Sequence, residues 1–304
     1  MTQNPTASAE THAAVPHATW RHYLELTKPR LSALSVSTAM LGYLAAVPHL
    51  EWLRTFHVVL GTGLCAAGVA ALNQWMELET DALMKRTAGR PLPTGAVPPG
   101  SAFVVGWALC AAGLAVLFKL VNGMSAFLGL ATIVAYLSIY TPAKRWSRWS
   151  TEIGAISGAL PPMIGWAAAG RSNPELGWAM FAILYTWQMP HFFSLAWTYR
   201  QDYAAAGMPM LSVVDPSGTK VARRSFIWTV LLAVAGASPA LLGYCSWYYF
   251  AVSAVLGAWI LWHAFLFLDP ARRDVQARRL FRVTLAYLPL LLGALVADRF
   301  LFKL

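Results

Sequence analysis

Residues 55–95 read TFHVVLGTGLCAAGVAALNQWMELETDALMKRTAGRPLPTG, and this stretch decides the fold. Residues 55–76 contain no Lys, Arg, Asp or Glu, and they are as long as a membrane-spanning helix, which needs about 20 mostly apolar residues. The apolar run then passes, without a Pro, into a segment rich in acidic and basic residues. The stretch therefore predicts a transmembrane helix that ends in a polar site at the membrane surface.

The rest of the chain repeats this apolar pattern. Of its 304 residues 58% are hydrophobic and only 12% are charged, whereas an average soluble domain has roughly 25% charged residues. Nine apolar segments have the length of a span, at residues 31–50, 55–76, 101–121, 124–142, 151–170, 176–197, 225–244, 247–268 and 281–302. We therefore predict an all-α, polytopic membrane helical bundle of about nine transmembrane helices.

The positive charges predict how this bundle is oriented. Only five of the 23 Lys and Arg residues fall in the segments that would face outward if the N-terminus were inside. These five are Arg54, Lys119, Arg171, Arg299 and Lys303. Because Lys and Arg are concentrated in cytoplasmic loops, the bias predicts an N-in/C-out topology.

Residues 1–20 differ from the rest of the chain because they have neither Lys or Arg nor an apolar run. A signal peptide would need an apolar core, and a mitochondrial transit peptide would be rich in Arg. We expect a disordered N-terminal tail at 1–20, followed by one transmembrane domain at 21–304. The absence of a transit peptide favours a bacterial cell inner membrane.

The composition argues against two other kinds of site. The formal net charge is +10, but no basic face with interleaved aromatic residues stands apart from the apolar segments, so no nucleic-acid partner is predicted. Cys65, Cys110 and Cys245 lie singly in apolar stretches. They predict neither disulfides nor a zinc site, and we interpret them as small packing residues.

The polar end of the second segment carries an acidic pattern. Asn73, Glu77 and Asp81 are spaced i, i+4, i+8, so on one helix they share a face over about 12 Å. Stacked carboxylates repel one another unless a cation lies between them. Oxygen ligands at this spacing suit Mg²⁺, which also binds substrate phosphates. The pattern therefore predicts a magnesium–diphosphate site.

Basic residues follow this pattern directly. Lys85, Arg86 and Arg90 could bind phosphate oxygens, Arg in a two-pronged fork. The alternative is a solvated helix end in which the acids simply pair with Lys85 and Arg86. Against it, three of the chain's 13 acids fall within five residues beside the membrane.

A second polar loop, residues 188–211, follows the sixth apolar segment in the same way. It contains Tyr199, Arg200 and Asp202, and Asp202 has an alternative interpretation as an ion-pair partner of Arg200. A third loop, YTPAKRW, offers Lys144 and Arg145 beside a Pro. We expect all three loops to lie on the cytoplasmic face.

These blocks resemble the UbiA superfamily of intramembrane prenyltransferases, and within it the branch that acts on heme. The most specific block is NQWMELETDALMKRTAGRPL at residues 73–92. Further matches are LTKPRLSAL at 26–34, YTPAKR at 140–145, GALPPMIGWAA at 158–168 and WQMPHFFSLAWTYRQDYAAAGMPML at 187–211. The superfamily usually has Asp where this chain has Glu77, and its second motif often has two acids where this chain keeps Asp202.

The resemblance implies a reaction and a set of site residues. Farnesyl diphosphate would ionise with the help of Mg²⁺, and its farnesyl group would join the 2-vinyl group of heme b. The implied catalytic residues and metal ligands are Asn73, Glu77, Asp81 and Asp202. The implied diphosphate-binding residues are Lys85, Arg86, Arg90, Lys144, Arg145 and Arg200. The residues expected to contact heme or the prenyl cation are His191, Tyr140, Tyr199 and Trp75.

The implied partners are heme b and farnesyl diphosphate as substrates and membrane lipid as the surroundings. Heme A synthase or terminal oxidase assembly factors would receive the product. Two other functions are compatible with a polytopic bundle: prenylation of an aromatic quinone precursor, and membrane transport. A transporter would place its acids near the middle of the membrane, whereas here they fall at the ends of apolar segments.

Overall fold

The computed structural model describes residues 18–170 and 174–302, and all regular structure within them is helical. The helices are α1 Trp20–Leu26, α2 Pro29–Ala46, α3 Trp52–Met76, α4 Leu78–Leu83, α5 Pro99–Val116, α6 Gly123–Val134, α7 Thr141–Ala143, α8 Ser150–Ala159, α9 Pro161–Ala168, α10 Glu175–Thr198, α11 Arg200–Ala205, α12 Leu211–Val214, α13 Thr219–Leu241, α14 Trp247–Leu266 and α15 Arg273–Phe302. Helix α5 continues as a π-helix, Leu117–Val121, and α6 continues as another, Ala135–Tyr140. The all-α prediction is confirmed.

Within residues 18–170 and 174–302, six helical stretches are long and apolar enough to cross a membrane. They are Trp52–Met76, Pro99–Val121, Gly123–Ala143, Thr219–Leu241, Trp247–Leu266 and Pro270–Phe302. The other three predicted spans fall on α2, on α8 with α9, and on α10. An integral membrane bundle follows from the six, while the count of nine and the orientation stay predictions.

One predicted span is divided. Residues 151–170 were expected to form one helix, but α8 ends at Ala159 and α9 begins at Pro161. Pro lacks the backbone N–H that would continue the hydrogen-bond ladder of α8. Of the predicted tail, residues 1–17 lie outside the described residues, as do Arg171 and Lys303 of the charge count.

Small residues let the helices pack closely. Helix α3 lies against α5, and a Cβ on Gly68 would come within 2.6 Å of the Gly106 carbonyl oxygen and the Cys110 sulfur. The Cys110 thiol in turn contacts the carbonyl of Cys65 across the same interface. Cys65, Cys110 and Cys245 are all free and buried, as the packing interpretation predicted.

The two long polar loops begin with the same local structure. Helix α3 ends at Met76, and Glu77 joins it to the short helix α4 with a backbone of φ −101°, ψ 12°. Helix α10 ends at Thr198, and Tyr199 joins it to α11 with φ −106°, ψ 21°. Each junction turns a long helix into a short one that carries an acid, Asp81 or Asp202.

Candidate active site

Asp81 is the most deeply buried acid of the first polar loop. Its side chain is 1% exposed, and Arg90 lies against carboxylate oxygen Oδ2 at 2.5 Å. The loop after α4 turns back because the Thr87 hydroxyl donates to the Asp81 carbonyl at 2.7 Å, and this turn returns Arg90 to the acid. The second carboxylate oxygen, Oδ1, is buried and has no hydrogen-bond partner. A buried carboxylate oxygen without a donor is costly, so Oδ1 of Asp81 has an unused capacity to bind a cation.

Glu77 is paired with a lysine from another part of the chain. Lys144 Nζ donates to Glu77 Oε1 at 2.8 Å, and both side chains are largely buried. Burial opposes ionisation of Glu77, but the ammonium of Lys144 outweighs it and holds the pKa of the carboxyl below its ordinary value. Burial likewise opposes charge on Lys144, yet the carboxylate of Glu77 raises its pKa well above the ordinary value. The two groups are therefore both charged.

Asn73, on the last turn of α3, is the third polar group of the row, after Glu77 at the end of α3 and Asp81 on α4. Its amide oxygen accepts from Lys28 Nζ at 3.0 Å, and its amide nitrogen donates to the Thr141 hydroxyl at 3.3 Å. Asn73 is 1% exposed, so these two partners hold its orientation. The single helix face predicted for Asn73, Glu77 and Asp81 is interrupted, because α3 ends before Glu77 and Asp81 lies on α4. The three polar groups still contact one basic residue each: Lys28, Lys144 and Arg90.

Lys28 lies at the site, although the sequence did not predict that it binds metal or substrate. It precedes Pro29 and has a left-handed backbone with φ 45°, which points the chain into α2. Burial, together with the charge of Arg90, lowers the pKa of Lys28 to about 7. The only signal in the sequence was its position in the LTKPRLSAL block.

A cavity of about 400 Å³ opens beside Lys28 and Arg90. Its lining residues are Arg21, Leu24, Glu25, Lys28, Pro29, Arg30, Leu31, Gln74 and Arg90. Four of these are basic and one is acidic. The space next to the acids is therefore suited to an anion.

Arg86, in the first polar loop, contacts the second polar loop. Its guanidinium lies over the ring of Tyr199, 5.2 Å from the centroid. Lys85 is exposed, and Arg145 donates to the carbonyl of Met76 at 2.6 Å, at the end of α3. In the described residues the acids pair with Arg90 and Lys144, so the alternative in which they pair with Lys85 and Arg86 is not what the structure contains.

The second loop is arranged differently from the first. Arg200 pairs with Asp274 of α15 at 3.2 Å and lies 4.2 Å above the ring of Trp197. Asp202 is half-buried and takes part in no ion pair among the described residues, so the predicted alternative of an Arg200–Asp202 pair is absent there. Asp202 remains available to a ligand.

The three aromatic residues expected near the prenyl cation lie in different surroundings. Lys144 sits over the ring of Tyr140 at 4.5 Å, and Tyr199 lies under Arg86. Trp75 is 39% exposed and packs on Phe103 of α5 at 4.9 Å. Because it lies two positions after Asn73, Trp75 points to nearly the opposite side of the helix. The structure brings the two tyrosines to the site but not Trp75.

His191 lies deeper in α10, eight residues before Tyr199, or about 12 Å along the helix. It is 9% exposed, and its Nδ1 lies 2.9 Å from the Thr284 hydroxyl of α15. Its ring stacks on Trp187 at 4.7 Å. It therefore belongs to the bundle interior and not to the polar loops.

These residues fit a magnesium ion that is shared with a substrate. Within residues 18–170 and 174–302, no three His, Cys, Asp or Glu side chains are grouped closely enough to hold a metal. Mg²⁺, however, usually takes one or two carboxylates and completes its shell with water and substrate phosphate. The unpartnered Oδ1 of Asp81 is a suitable ligand.

Comparisons with known proteins identify the family of this chain. The model of the UbiA prenyltransferase family matches residues 35–286. A curated protein of Opitutus terrae, the protoheme IX farnesyltransferase, is 54% identical over 283 residues, which is 93% of this chain and 96% of that protein.

Solved structures share the fold at low identity. A digeranylgeranylglyceryl phosphate synthase superposes with a TM-score of 0.78 at 16% identity, covering 93% of this chain and 99% of that one. A UbiA homologue of Archaeoglobus fulgidus bound to DMAPP and Mg²⁺ has a TM-score of 0.67 at 16% identity, covering 88% of this chain and 98% of that one.

Proposed function

The chain belongs to the UbiA prenyltransferase family, and we propose that it transfers a farnesyl group from farnesyl diphosphate to the 2-vinyl group of heme b. The products are diphosphate and a heme with a hydroxyethylfarnesyl side chain, heme O. One observation in the structure carries the proposal: a row of buried acids, Asp81 and Glu77, lined by Arg90, Lys144 and Lys28 beside a basic cavity. The choice of heme as acceptor rests on the relative from Opitutus terrae.

The basic residues account for binding of the diphosphate. Arg90 and Lys28 line the cavity, and Lys144 lies at the neighbouring acid. Arg86 and Arg145 hold the surrounding loops through Tyr199 and the end of α3. Lys85 and Arg200 extend the positive surface at the edge. Fixed cations around a leaving group lower the barrier because they need no rearrangement as charge develops.

Of the implied ligands Asn73, Glu77, Asp81 and Asp202, Asp81 is the one whose unpartnered Oδ1 would hold Mg²⁺. The three acids are not grouped closely enough within the described residues to hold one ion together, so water and substrate phosphate would complete its shell. The ion, when bound, neutralises the charge of the departing diphosphate. Lys144 already neutralises Glu77, and Lys28 contacts Asn73. The two lysines therefore keep this face from repelling an anion. Asp81 keeps one free oxygen for the metal.

The cation left after diphosphate departs must be kept from water. Tyr140 and Tyr136 pack edge to face at 5.1 Å beside Lys144 and would shield the cation at this end of the site. The vinyl group of heme is itself the nucleophile, and water then adds to the carbon next to the porphyrin and loses a proton. No protein nucleophile is required.

His191 is the residue we assign to heme. Intramembrane histidines usually face the interior of a bundle or a cavity. His191 lies about 12 Å along α10 from the diphosphate end, a separation that is comparable with the width of a porphyrin. His191 would bind the iron, and the porphyrin edge would carry the vinyl group toward the farnesyl carbon.

The predicted topology indicates which compartment the site faces. Nine spans with the N-terminus inside would place all three polar loops on the cytoplasmic face of a bacterial inner membrane. Both substrates would then enter from that face or from the lipid. The lipophilic product would pass to heme A synthase or to terminal oxidase assembly factors.

The test is mass spectrometry of heme extracted after the purified protein is incubated with heme b, farnesyl diphosphate and Mg²⁺. We expect a mass gain of one farnesyl group plus one hydroxyl that EDTA abolishes. Asp81→Asn should lower turnover by about 10³-fold or more, which is the order of magnitude for loss of a preorganised charge at a reacting group.

The matched control is Asp269→Asn, an exposed acid that caps the short turn before α15 and should leave turnover unchanged. Prenylation of an aromatic acceptor with heme left unmodified would overturn the heme assignment and keep the family. Turnover retained by Asp81→Asn would remove the metal assignment.

A further inference from the structure

The side chain of Thr284 determines which nitrogen of His191 carries the hydrogen. Its hydroxyl lies 2.6 Å from the carbonyl of Phe281 and 2.9 Å from His191 Nδ1. A hydroxyl has one hydrogen to donate and can accept others. The shorter contact is the back-bond to a carbonyl three residues earlier, which Thr commonly makes in a helix. The hydroxyl therefore donates to Phe281 and accepts from an N–H at Nδ1.

This assignment leaves Nε2 of His191 with a lone pair. A neutral imidazole carries one hydrogen, so Nε2 is an acceptor when Nδ1 is protonated. No hydrogen bond to Nε2 is present within the described residues, and Nε2 is not among the sealed, unpartnered polar atoms of the structure. Nε2 is thus an acceptor that has no hydrogen-bond partner among the described residues and could bind a metal.

Neighbouring groups hold the pair in place. Trp187 Nε1 donates to the backbone carbonyl of Thr284 at 2.8 Å, and the same indole stacks on the imidazole. The Phe281 ring also packs on the imidazole, with the ring centroids 4.9 Å apart and the planes tilted by 31°. Rotation of the His191 ring is therefore restricted, and Thr284 is fully buried.

We infer that Thr284 is a positioning residue that presents Nε2 of His191 to the iron of heme b. The inference rests on the proposed function, because it takes heme as the substrate. Histidines that bind metals usually donate their other N–H to a fixed acceptor, and loss of such an acceptor costs about 10- to 100-fold in affinity. Here the acceptor is a hydroxyl on α15, so heme binding depends on the packing of α10 against α15.

The experiment titrates heme b into the purified full-length protein without farnesyl diphosphate and records affinity and the iron–histidine stretching band of the ferrous complex. Wild type should show this band, and His191→Ala should lose it. Thr284→Val removes the hydroxyl at nearly constant shape. It should weaken heme binding about 10- to 100-fold and lower the stretching frequency, because Nδ1–H no longer has an acceptor.

Three further variants separate positioning from folding. Thr284→Ser keeps the hydroxyl and should retain both the band and the affinity. Thr229→Val removes a hydroxyl that is equally buried in α13 and only back-bonds to Ser225, so it should bind heme as wild type does. If Thr284→Val fails to fold, Thr284→Cys replaces it, since a thiol is a weak hydrogen-bond partner.

The outcomes are distinguishable. An unchanged band and affinity in folded Thr284→Val or Thr284→Cys would overturn the role of Thr284 while His191 kept its own. A wild-type band that survives His191→Ala would overturn both assignments. Failure of wild type to make farnesylated heme would instead overturn the proposed function.

Discussion

At the residue scale, the site is organised by pairs that join distant parts of the chain. Glu77 is held by Lys144, and Asn73 by Lys28, while Asp81 is held by Arg90 of its own loop. A buried ion pair adds little net stability, but breaking it by removing one partner leaves an uncompensated buried charge. The pairs therefore matter more for keeping each side chain in place than for the stability of the fold.

The Glu77–Lys144 pair gives the first prediction at this scale. Glu77→Gln should destabilise the protein by about 3–5 kcal/mol, because Lys144 stays buried without a counter-charge. Adding Lys144→Met should restore most of the melting temperature and none of the turnover, since both residues belong to the site. Thermal unfolding and the heme mass assay measure the two effects. A single variant as stable as wild type would show that Lys144 is not held by Glu77.

The aromatic residues near the site give the second prediction at this scale. Tyr140→Leu removes the ring beneath Lys144, an interaction worth about 0.5–2 kcal/mol, so turnover should fall about 2- to 30-fold. Trp75→Leu should leave turnover unchanged, because Trp75 packs on Phe103 on the other side of α3. The comparison uses initial rates at saturating substrate. A large loss in Trp75→Leu would place that ring at the prenyl group after all.

At the element scale, the polar loops are positioned by how helices end and how closely they pack. Both junctions, at Glu77 and Tyr199, turn a long helix into a short one. Helix α3 reaches its position because Gly68 lets it lie against α5. A side chain at that glycine would push α3 away and move the acids at its end.

The prediction for this interface compares two helical glycines. Gly68→Ala places a methyl group 2.6 Å from the Gly106 carbonyl and Cys110 and should cost about 1–3 kcal/mol. Gly293→Ala, in α15, has nothing within 4 Å and should be neutral or stabilising by up to about 1 kcal/mol. Melting temperatures of the purified variants measure both. Equal melting temperatures would mean that α3 and α5 adjust without cost.

At the scale of the whole molecule, the orientation in the membrane decides which compartment supplies the substrates. In the part of the chain that the structure describes, six helices are long and apolar enough to cross it. The bias of Lys and Arg predicts that the N-terminus is inside. The three natural cysteines are buried. Introduced cysteines can therefore report the orientation without removing the natural ones.

We expect Leu242→Cys, after α13, to react with a membrane-impermeant maleimide in intact cells. Pro216→Cys, before α13, should react only after the cells are opened. Both positions are exposed in the structure. Labelling of both after lysis is the control for accessibility, and the reverse pattern in intact cells would invert the topology.

The all-helical membrane architecture and the residue types expected at the site could both be predicted from local properties of the sequence. Runs of about 20 apolar residues and the i, i+4, i+8 spacing are local properties, so they could be read without the fold. The pairing of the basic residues with their partners depends on the tertiary structure. Lys28 contacts Asn73, Lys144 pairs with Glu77, and Arg200 pairs with Asp274. Trp75 packs on Phe103, on the other side of α3. The tertiary structure also places Thr284 beside His191. These pairings join residues far apart in the chain, and only the packing of helices against one another brings such residues within the range of a hydrogen bond.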